Sequence, residues 1–244
     1  MKSILRSLLR PLRPDRTYGP RSLQGMRHAE VVELLEANLV RRGLGSELRF
    51  LDVGCGEGQL LLACAQPGRH LAGCDWLENP QARDRIEYSR VDLNGSGLDI
   101  YADAAFDIVL CSDVLEHMEN PARILRDIAR VLTDKGLAVL SIPNSWNLME
   151  RIRFLLSAGF RRYRAERVSG PWGHISFFTR ETLQSLCDRA GLNIERLAGG
   201  GRRGHLAIGG IFLRVPPSLL LSYNVYIVLG KGATPSGRPG RETD

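Results

Sequence analysis

Apolar residues recur along the chain in two alternating patterns, which predict alternating strands and helices. Short runs rich in Val, Ile and Leu predict buried strands, and apolar residues spaced three or four positions apart predict amphipathic helices. Strands are expected at 48–53, 70–74, 86–91, 106–111, 137–142, 192–197 and 223–229. Helices are expected at 22–42, directly after position 58, from position 120, and at 180–190. This alternation predicts an α/β fold with a doubly wound, mostly parallel seven-stranded sheet.

Three segments depart from the alternation and set the predicted domain boundaries. Residues 1–20 combine arginines with leucines, which favours either a basic amphipathic contact with an anionic membrane surface or a partly disordered basic tail. Residues 145–172 form a helical insertion, rich in arginine and aromatic residues, within a main domain that spans 21–231. The insertion is either a lid over an anionic or lipid-linked ligand or a solvated helix pair packed on the sheet. Residues 232–244 are polar and rich in Gly and Pro, so disorder is expected there.

Composition is that of an ordinary globular protein and argues against several other classes. A chain of 244 residues is long enough for one domain with appendages. The five cysteines include no Cys-x-x-Cys pair, so we expect buried apolar thiols in a reducing compartment, and the spacing of Cys and His indicates no metal site. No signal peptide or membrane span is recognisable, which favours a cytoplasmic location.

The most informative stretch joins the first strand to the helix that follows it. Positions 50–58 read Phe-Leu-Asp-Val-Gly-Cys-Gly-Glu-Gly, so glycines alternate between a strand and a helix. Glycine accepts positive φ and leaves room for a ligand, and the following helix offers unpaired N–H groups. A dinucleotide-binding loop would need its third glycine at Gln59, so this loop has a different spacing. The stretch favours a nucleotide-type cofactor over a purely structural turn.

Five blocks near the ends of predicted strands resemble the class I S-adenosylmethionine-dependent methyltransferases. Within that class the chain is similar to the small-molecule group that includes ubiquinone-pathway O-methyltransferases and MetW-like proteins. The resemblance covers about residues 25–230. It implies a Rossmann-like sheet with an antiparallel final strand and S-adenosyl-L-methionine as the cofactor. The blocks are Leu51–Gly58, Asp75, Asp92-Leu93, Phe106–His117 and Gly173–Thr179.

The resemblance implies a role for each matching residue of the cofactor site. Gly54, Gly56 and Gly58 would let the backbone close on the methionine and ribose parts of the cofactor. Asp75 would accept hydrogen bonds from the ribose hydroxyls, and Asp92 would accept one from the adenine amine. The other expected cofactor-binding residues are Asp52 near the amino group, Cys55 in the glycine loop, Trp76 after Asp75, Leu93 beside the adenine, and Ser112 and Asp113 near the methionine end. The segment after Asp75 is shorter than the family pattern, which affects one wall of the adenine pocket.

Two histidines are the candidate catalytic residues. Methyl transfer from a sulfonium mainly requires positioning and a dry pocket, because the cofactor already carries the activated group. A hydroxyl acceptor would also benefit from a general base, a role that suits histidine near neutral pH. His117 follows the fourth strand and His174 opens the fifth block. For each, the alternative is a histidine that orders a loop or caps a helix.

The sequence therefore predicts a cytoplasmic S-adenosylmethionine-dependent methyltransferase, acting on an oxygen of a small-molecule, glycan or lipid-linked acceptor. One alternative is a non-catalytic protein that binds the cofactor and regulates a partner. A nucleic-acid methyltransferase is disfavoured, because the net charge of +6 is modest and no Asn-Pro-Pro-Tyr or Asp-Pro-Pro-Tyr motif follows the fourth strand. The oligomeric state is left open.

Overall fold

The computed structural model describes residues 23–78, 80–157, 159, 173–200, 204–208, 211–215, 219–220 and 222–232. Within them the helices are α1 (Leu23–Arg42), α2 (Gln59–Ala63), α3 (Pro121–Val131), α4 (Leu148–Ser157) and α5 (Arg180–Arg189). The strands are β1 (Leu48–Val53), β2 (Arg69–Asp75), β3 (Glu87–Arg90), β4 (Phe106–Ser112), β5 (Leu132–Pro143), β6 (Leu192–Gly199), β7 (Gly204–Ile208), β8 (Ile211–Val215) and β9 (Asn224–Lys231). The predictions for 1–20, for 160–172 and for 233–244 lie outside the described residues.

Seven of these strands form one sheet in the order β3-β2-β1-β4-β5-β9-β6. Strands β1 to β5 are parallel, and β9 is antiparallel to both of its neighbours. The predicted mostly parallel sheet with an antiparallel final strand is therefore confirmed. The chain builds outward from β1 to β3 and then returns to the other side of β1 with β4. In open α/β sheets, ligands bind beyond the carboxyl ends of the two strands at such a reversal.

Helices cover both faces of the sheet, which explains why its central strands are almost continuously apolar. On one face, Leu35 of α1 packs in the same buried cluster as Phe50 of β1. On the other face, Ile128 of α3 and Leu183 of α5 share a cluster with Val109 of β4. Successive strand residues point to opposite faces, so a parallel sheet covered on both sides needs apolar residues at most positions. All five cysteines are free and buried, as predicted.

Local capping interactions define the ends of three helices. Gly43 follows α1 with a φ of +62°, a conformation that favours glycine. The Asn120 side chain accepts a hydrogen bond from the Arg123 N–H at 3.1 Å and caps α3. Thr179 and Thr182 form a reciprocal capping box at the start of α5. These local interactions fix where the helices that flank the site begin.

Other parts of the chain refine or correct the prediction. Between β2 and β3, the described residues contain a 3-10 turn at Arg83–Arg85 and no longer helix, as the proline-broken sequence there indicates. The hairpin of β7 and β8 was not predicted. Its signal is two short apolar runs on either side of Gly209 and Gly210. Among the described helices, none combines the length and the apolar character that crossing a bilayer requires.

Candidate cofactor cleft and acceptor mouth

The glycine loop after β1 closes against the end of β2 and the turn after β4. Gly54 and Gly58 have φ values of +70° and +78°, in the left-handed region that favours glycine. The Gly54 N–H donates to the Cys74 carbonyl at 2.8 Å. A Cβ at position 54 would lie 2.5 Å from Cγ2 of Val114. Both the backbone conformation and the available space therefore require glycine at position 54.

Asp75, at the end of β2, holds the glycine loop in place. Its carboxylate accepts the Gly56 N–H at 2.8 Å and the Leu77 N–H at 3.3 Å. The residue is only 7% exposed. A carboxylate offers about four lone-pair sites, so these two bonds leave capacity for further donors such as ribose hydroxyls. The acid thus organises the loop before any ligand is bound.

Asp52 lies inside the sheet beneath this loop. It pairs in register with Gly73 of β2 and Leu110 of β4 and is 2% exposed. Burial, reinforced by the nearby charge of Asp75, raises the pKa of the Asp52 carboxyl to about 8. At neutral pH this side chain is therefore largely protonated. Its position supports an effect on the cofactor through the geometry of the loop.

The predicted adenine side of the cleft lies at the ends of β2 and β3. The Asp92 side chain is exposed and accepts the Asn94 N–H at 3.0 Å, which shapes a turn. Leu93 is buried in the core, whereas Trp76 is 52% exposed. The Cys55 side chain is also buried, so at that position the cleft is lined by backbone. Of these four predicted residues, Asp92 and Trp76 therefore expose their side chains, whereas Leu93 and Cys55 do not.

The turn after β4 has a strained backbone that a polar network supports. Asp113 has a φ of +55°, which is rare for a residue other than glycine. Its carboxylate accepts hydrogen bonds from the Ser141 hydroxyl and the Asn224 amide, each at 3.0 Å, and it forms an ion pair with Arg27 of α1. The predicted Ser112 shares a 2.8 Å hydrogen bond with the same Ser141 hydroxyl. This network ties α1, β5 and β9 to the mouth of the cleft.

Sequence reasoning missed three members of this network, namely Arg27, Ser141 and Asn224. They lie on separate elements, far apart in the chain, and none belongs to a recognisable motif. Two of them have a weak signal, as polar residues near the end of an otherwise apolar strand. Ser141 lies two residues before the end of β5, and Asn224 is the first residue of β9. Their common neighbourhood depends on the order of the strands in the sheet.

The two predicted histidines meet at the far end of the same turn. The rings of His117 and His174 are 4.8 Å apart and nearly perpendicular. Nδ1 of His117 donates to the Gly173 carbonyl at 2.9 Å, since a carbonyl can only accept. The Glu116 carbonyl accepts from the backbone N–H groups of Ile175 and Ser176 at 2.8 and 3.0 Å. Backbone hydrogen bonds therefore join the segment before α5 to the turn after β4.

The helix α4 lies within the predicted insertion and presents apolar side chains to solvent. Leu155 and Leu156 are 84% and 69% exposed. The helix is held at its start by Asn147, which accepts the Glu150 N–H at 2.8 Å. Asn144 anchors the preceding segment by donating to the carbonyls of residues 219 and 222. A firmly anchored helix thus carries an exposed apolar surface, consisting of Leu148, Met149, Ile152, Phe154, Leu155 and Leu156.

Comparisons with known proteins agree on one family for this chain. A family model described as a methyltransferase domain matches residues 24–197. Ubiquinone biosynthesis O-methyltransferases from Aeromonas salmonicida and Ruegeria pomeroyi are 28% and 33% identical to this chain over 158 and 162 residues. These matches cover 62% of this chain in both cases, and 65% and 64% of the relatives. The chain thus spans less than two thirds of the length of these relatives.

Two further kinds of similarity agree with this family. A probable S-adenosylmethionine-dependent methyltransferase from Mycobacterium tuberculosis is 38% identical over 98 residues, which cover 38% of this chain and 35% of that protein. A methyltransferase structure from Thermotoga maritima has a TM-score of 0.57 at 17% identity, covering 84% of this chain and 90% of that one. One from Archaeoglobus fulgidus has a TM-score of 0.56 at 18% identity, covering 82% and 94%. At these identities the structures establish the fold, and together with the match over 24–197 they show that this chain belongs to the S-adenosylmethionine-dependent methyltransferase family.

Proposed function

We propose that this protein binds S-adenosylmethionine in the cleft and methylates a hydroxyl oxygen of a small-molecule acceptor. The observation that carries the proposal is the turn after β4, which serves two sites at once. Val114 packs against the glycine loop at Gly54, and His117, three residues later, faces His174. One short turn therefore carries both a wall of the cofactor cradle and one ring of the histidine pair. This continuity favours an enzyme over a protein that only binds the cofactor.

The cleft fits the cofactor that the family uses. When bound, S-adenosylmethionine supplies an activated methyl group. Gly54 and Gly56 would bring backbone close to the cofactor, and Asp75 would accept from ribose hydroxyls with the lone pairs that the loop leaves free. Asp92, which is exposed at the end of β3, would accept from the adenine amine. Ser112 and the Asp113 network would orient the methionine end.

The acceptor would lie at the histidine pair. His117 and His174 are both half-buried, so they can contact a ligand while solvent is largely excluded. The hydrogen bond from Nδ1 of His117 to Gly173 orients the ring and leaves Nε2 able to accept a proton. Relatives named as ubiquinone biosynthesis O-methyltransferases support oxygen as the atom that is methylated. In this proposal, one of the two imidazoles receives the hydroxyl proton.

The α4 surface supports an apolar, lipid-linked acceptor presented at an anionic membrane. Its exposed leucines would lie against acyl or prenyl chains. This contact would be favourable, because it removes apolar surface from water. Arg151 is exposed on the same helix, and residues 161–167 contain four more arginines. Arg151, a cationic side chain on a helix with an exposed apolar surface, would match anionic headgroups, and the arginines of 161–167 add positive charge to this part of the sequence. The basic residues of 1–20 remain a predicted second contact.

Calorimetric titration with S-adenosylmethionine and S-adenosylhomocysteine tests the cofactor site. We expect micromolar binding to the wild-type protein and binding weaker by about tenfold or more in Asp75→Ala, because hydrogen bonds to a charged group contribute roughly 1.5–3 kcal/mol. Asp134→Ala is the control, since that carboxylate is 93% exposed and lies near the amino end of β5, whereas the cleft lies at the carboxyl ends of the parallel strands. Absence of binding to the wild-type protein would refute the proposed function.

Transfer of labelled methyl to a panel of phenols, glycans and prenylated hydroxy compounds tests the reaction. We expect incorporation into a hydroxyl-bearing compound and a loss of most of it in His117→Ala or His174→Ala. Cofactor binding without transfer to any compound would favour the regulatory alternative. Salt-sensitive binding of RNA, with methyl transfer to it, would favour the nucleic-acid alternative.

A further inference from the structure

Glu116, His117 and His174 form a cluster of metal-ligating groups at the acceptor mouth. Each offers one donor atom, and the three atoms lie within 4.8 Å of one another. Metal-to-ligand bonds for nitrogen and oxygen are about 2.0–2.2 Å, so small side-chain rotations would bring all three donors to one ion. The positions of these three ligands in the sequence do not form a recognisable metal-binding motif, because His174 is distant in sequence from the other two residues.

The backbone holds the three donors together. The Glu116 carbonyl accepts from Ile175 and Ser176, and the Ser176 hydroxyl donates to the Met118 carbonyl at 2.8 Å. These bonds join the turn that carries Glu116 and His117 to the segment that carries His174. A metal site needs this kind of fixed framework, since ordering mobile ligands would cost binding free energy.

The hydrogen bond of His117 is of the kind that supports a metal ligand. Its Nδ1–H donates to the Gly173 carbonyl, which fixes the neutral tautomer and keeps a lone pair on the other nitrogen. Metal-ligating histidines almost always donate their second ring N–H to a carbonyl, a carboxylate or water. Gly173 lies next to His174, so the same bond also positions the second histidine.

The donor types favour a cation at this point. The Glu116 residue is only 1% exposed, and both histidines are half-buried. A carboxylate and two imidazoles are common ligands of divalent transition-metal ions and Zn²⁺. Three protein donors leave one further position on a four-coordinate ion, which a ligand oxygen would fill.

We propose that Glu116, His117 and His174 bind one divalent cation at the acceptor mouth. Two imidazoles and one carboxylate suit Zn²⁺, Mn²⁺ or Fe²⁺ better than Ca²⁺ or Mg²⁺, which prefer all-oxygen sites. Binding of a cation at these three side chains does not depend on the proposed function. Its use, which rests on the proposed function, is to hold the acceptor oxygen. A bound divalent cation would make the acceptor hydroxyl more acidic, so that its proton passes to water. In the protein with the cation bound, the two histidines would therefore act as ligands, and the general-base role would belong to the protein without it.

Metal binding by the full-length protein tests this proposal directly. The protein is stripped with a chelator, dialysed against Zn²⁺ or Mn²⁺ and analysed for bound metal, with Mg²⁺ in a parallel dialysis. We expect one Zn²⁺ or Mn²⁺ per chain and weaker retention of Mg²⁺. Affinity should fall by roughly tenfold or more in His174→Gln and Glu116→Gln. His70→Gln is the matched control, because the His70 side chain is 76% exposed and lies near the start of β2.

Titration of each variant with S-adenosylmethionine separates this proposal from the proposed function. Variants that bind the cofactor as the wild-type protein does are folded, and a loss of metal in them supports the site. Stoichiometric metal in a protein that does not bind the cofactor would support the cation site and refute only the methyltransferase proposal. If the wild-type protein retains no stoichiometric Zn²⁺ or Mn²⁺, or if the folded variants retain it fully, the cation site is wrong.

Discussion

At the residue scale, the cleft depends on a small number of backbone conformations that most side chains avoid. Gly54 has positive φ and lies where a Cβ would meet Val114. Asp113 has positive φ without being glycine, and three side chains on other elements hold its carboxylate. Strain of this kind persists where the surrounding structure over-determines it, which is common at functional sites.

Replacement of Gly54 by alanine should destabilise the protein more than the same replacement at Gly43. Both residues have positive φ, which costs an alanine about 1–2 kcal/mol. Only position 54 adds a steric conflict, since a Cβ at position 43 would meet nothing within 4 Å. The conflict with Val114 should add roughly 1–3 kcal/mol, measured as the free energy of unfolding in urea. Equal losses in the two variants would contradict the steric argument.

At the element scale, α4 differs from the other described helices because its apolar side chains face solvent. Its position is nevertheless well defined, since Asn144 and Asn147 hold the segment that leads into it. α3, by contrast, buries four apolar residues against the sheet. An anchored helix with an exposed apolar surface is suited to contact an apolar partner.

Charge introduced on α4 should weaken binding to anionic vesicles. We expect Leu155→Glu to reduce the fraction of protein that floats with phosphatidylglycerol vesicles, because it replaces an apolar contact with a charge that the headgroups repel. Val40→Glu on α1 is the matched control, since Val40 is 82% exposed and Leu155 is 84% exposed. Flotation that is equal in the two variants, or absent in the wild-type protein, would argue against the membrane contact.

At the scale of the whole molecule, two apolar clusters on opposite faces of the sheet provide most of the stabilising burial. One lies under α1 and α2, and the other lies under α3 and α5. Asp52 is a buried carboxyl group between them, in the interior strand β1. Its raised pKa links the stability of the entire fold to pH.

Replacement of Asp52 by asparagine should change how stability depends on pH. The folded protein keeps this proton up to about pH 8, whereas the unfolded chain releases it near the ordinary pKa of 3.8. Between these values the folded state binds more protons, so the wild-type protein loses stability as the pH rises. Asp52→Asn removes this loss, and its stability relative to the wild-type protein should increase by at most about 1.4 kcal/mol per pH unit.

Urea unfolding at several pH values between 5 and 8 measures this difference. Asp134→Asn is the control, because its exposed carboxylate should leave the slope unchanged. A constant difference between Asp52→Asn and the wild-type protein over this range would mean that Asp52 is ionised in the folded state.

Much of the fold could be predicted from local sequence, because its signals are local. The run into Val53 and the glycines that follow it define a strand and a turn within a few residues. Asn120 and Gly43 mark the ends of helices by capping chemistry that involves only near neighbours. The position of Asp75 could also be predicted from local sequence, because this residue directly follows the short apolar run of β2. The hairpin of β7 and β8 was missed because its strands are short and lie outside the main sheet.

The sequence by itself therefore determined the succession of strands and helices along the chain and the glycine loop. It also determined the positions of Asp75 at the end of β2 and of Asp92 after β3. Hydrophobic period and turn chemistry encode these features within one element or its neighbours. Only the tertiary structure decided that Arg27 reaches Asp113 and that Glu116 and His117 meet His174. Those contacts depend on which strands lie side by side and on backbone bonds between remote segments. No local pattern in a single sequence encodes that geometry.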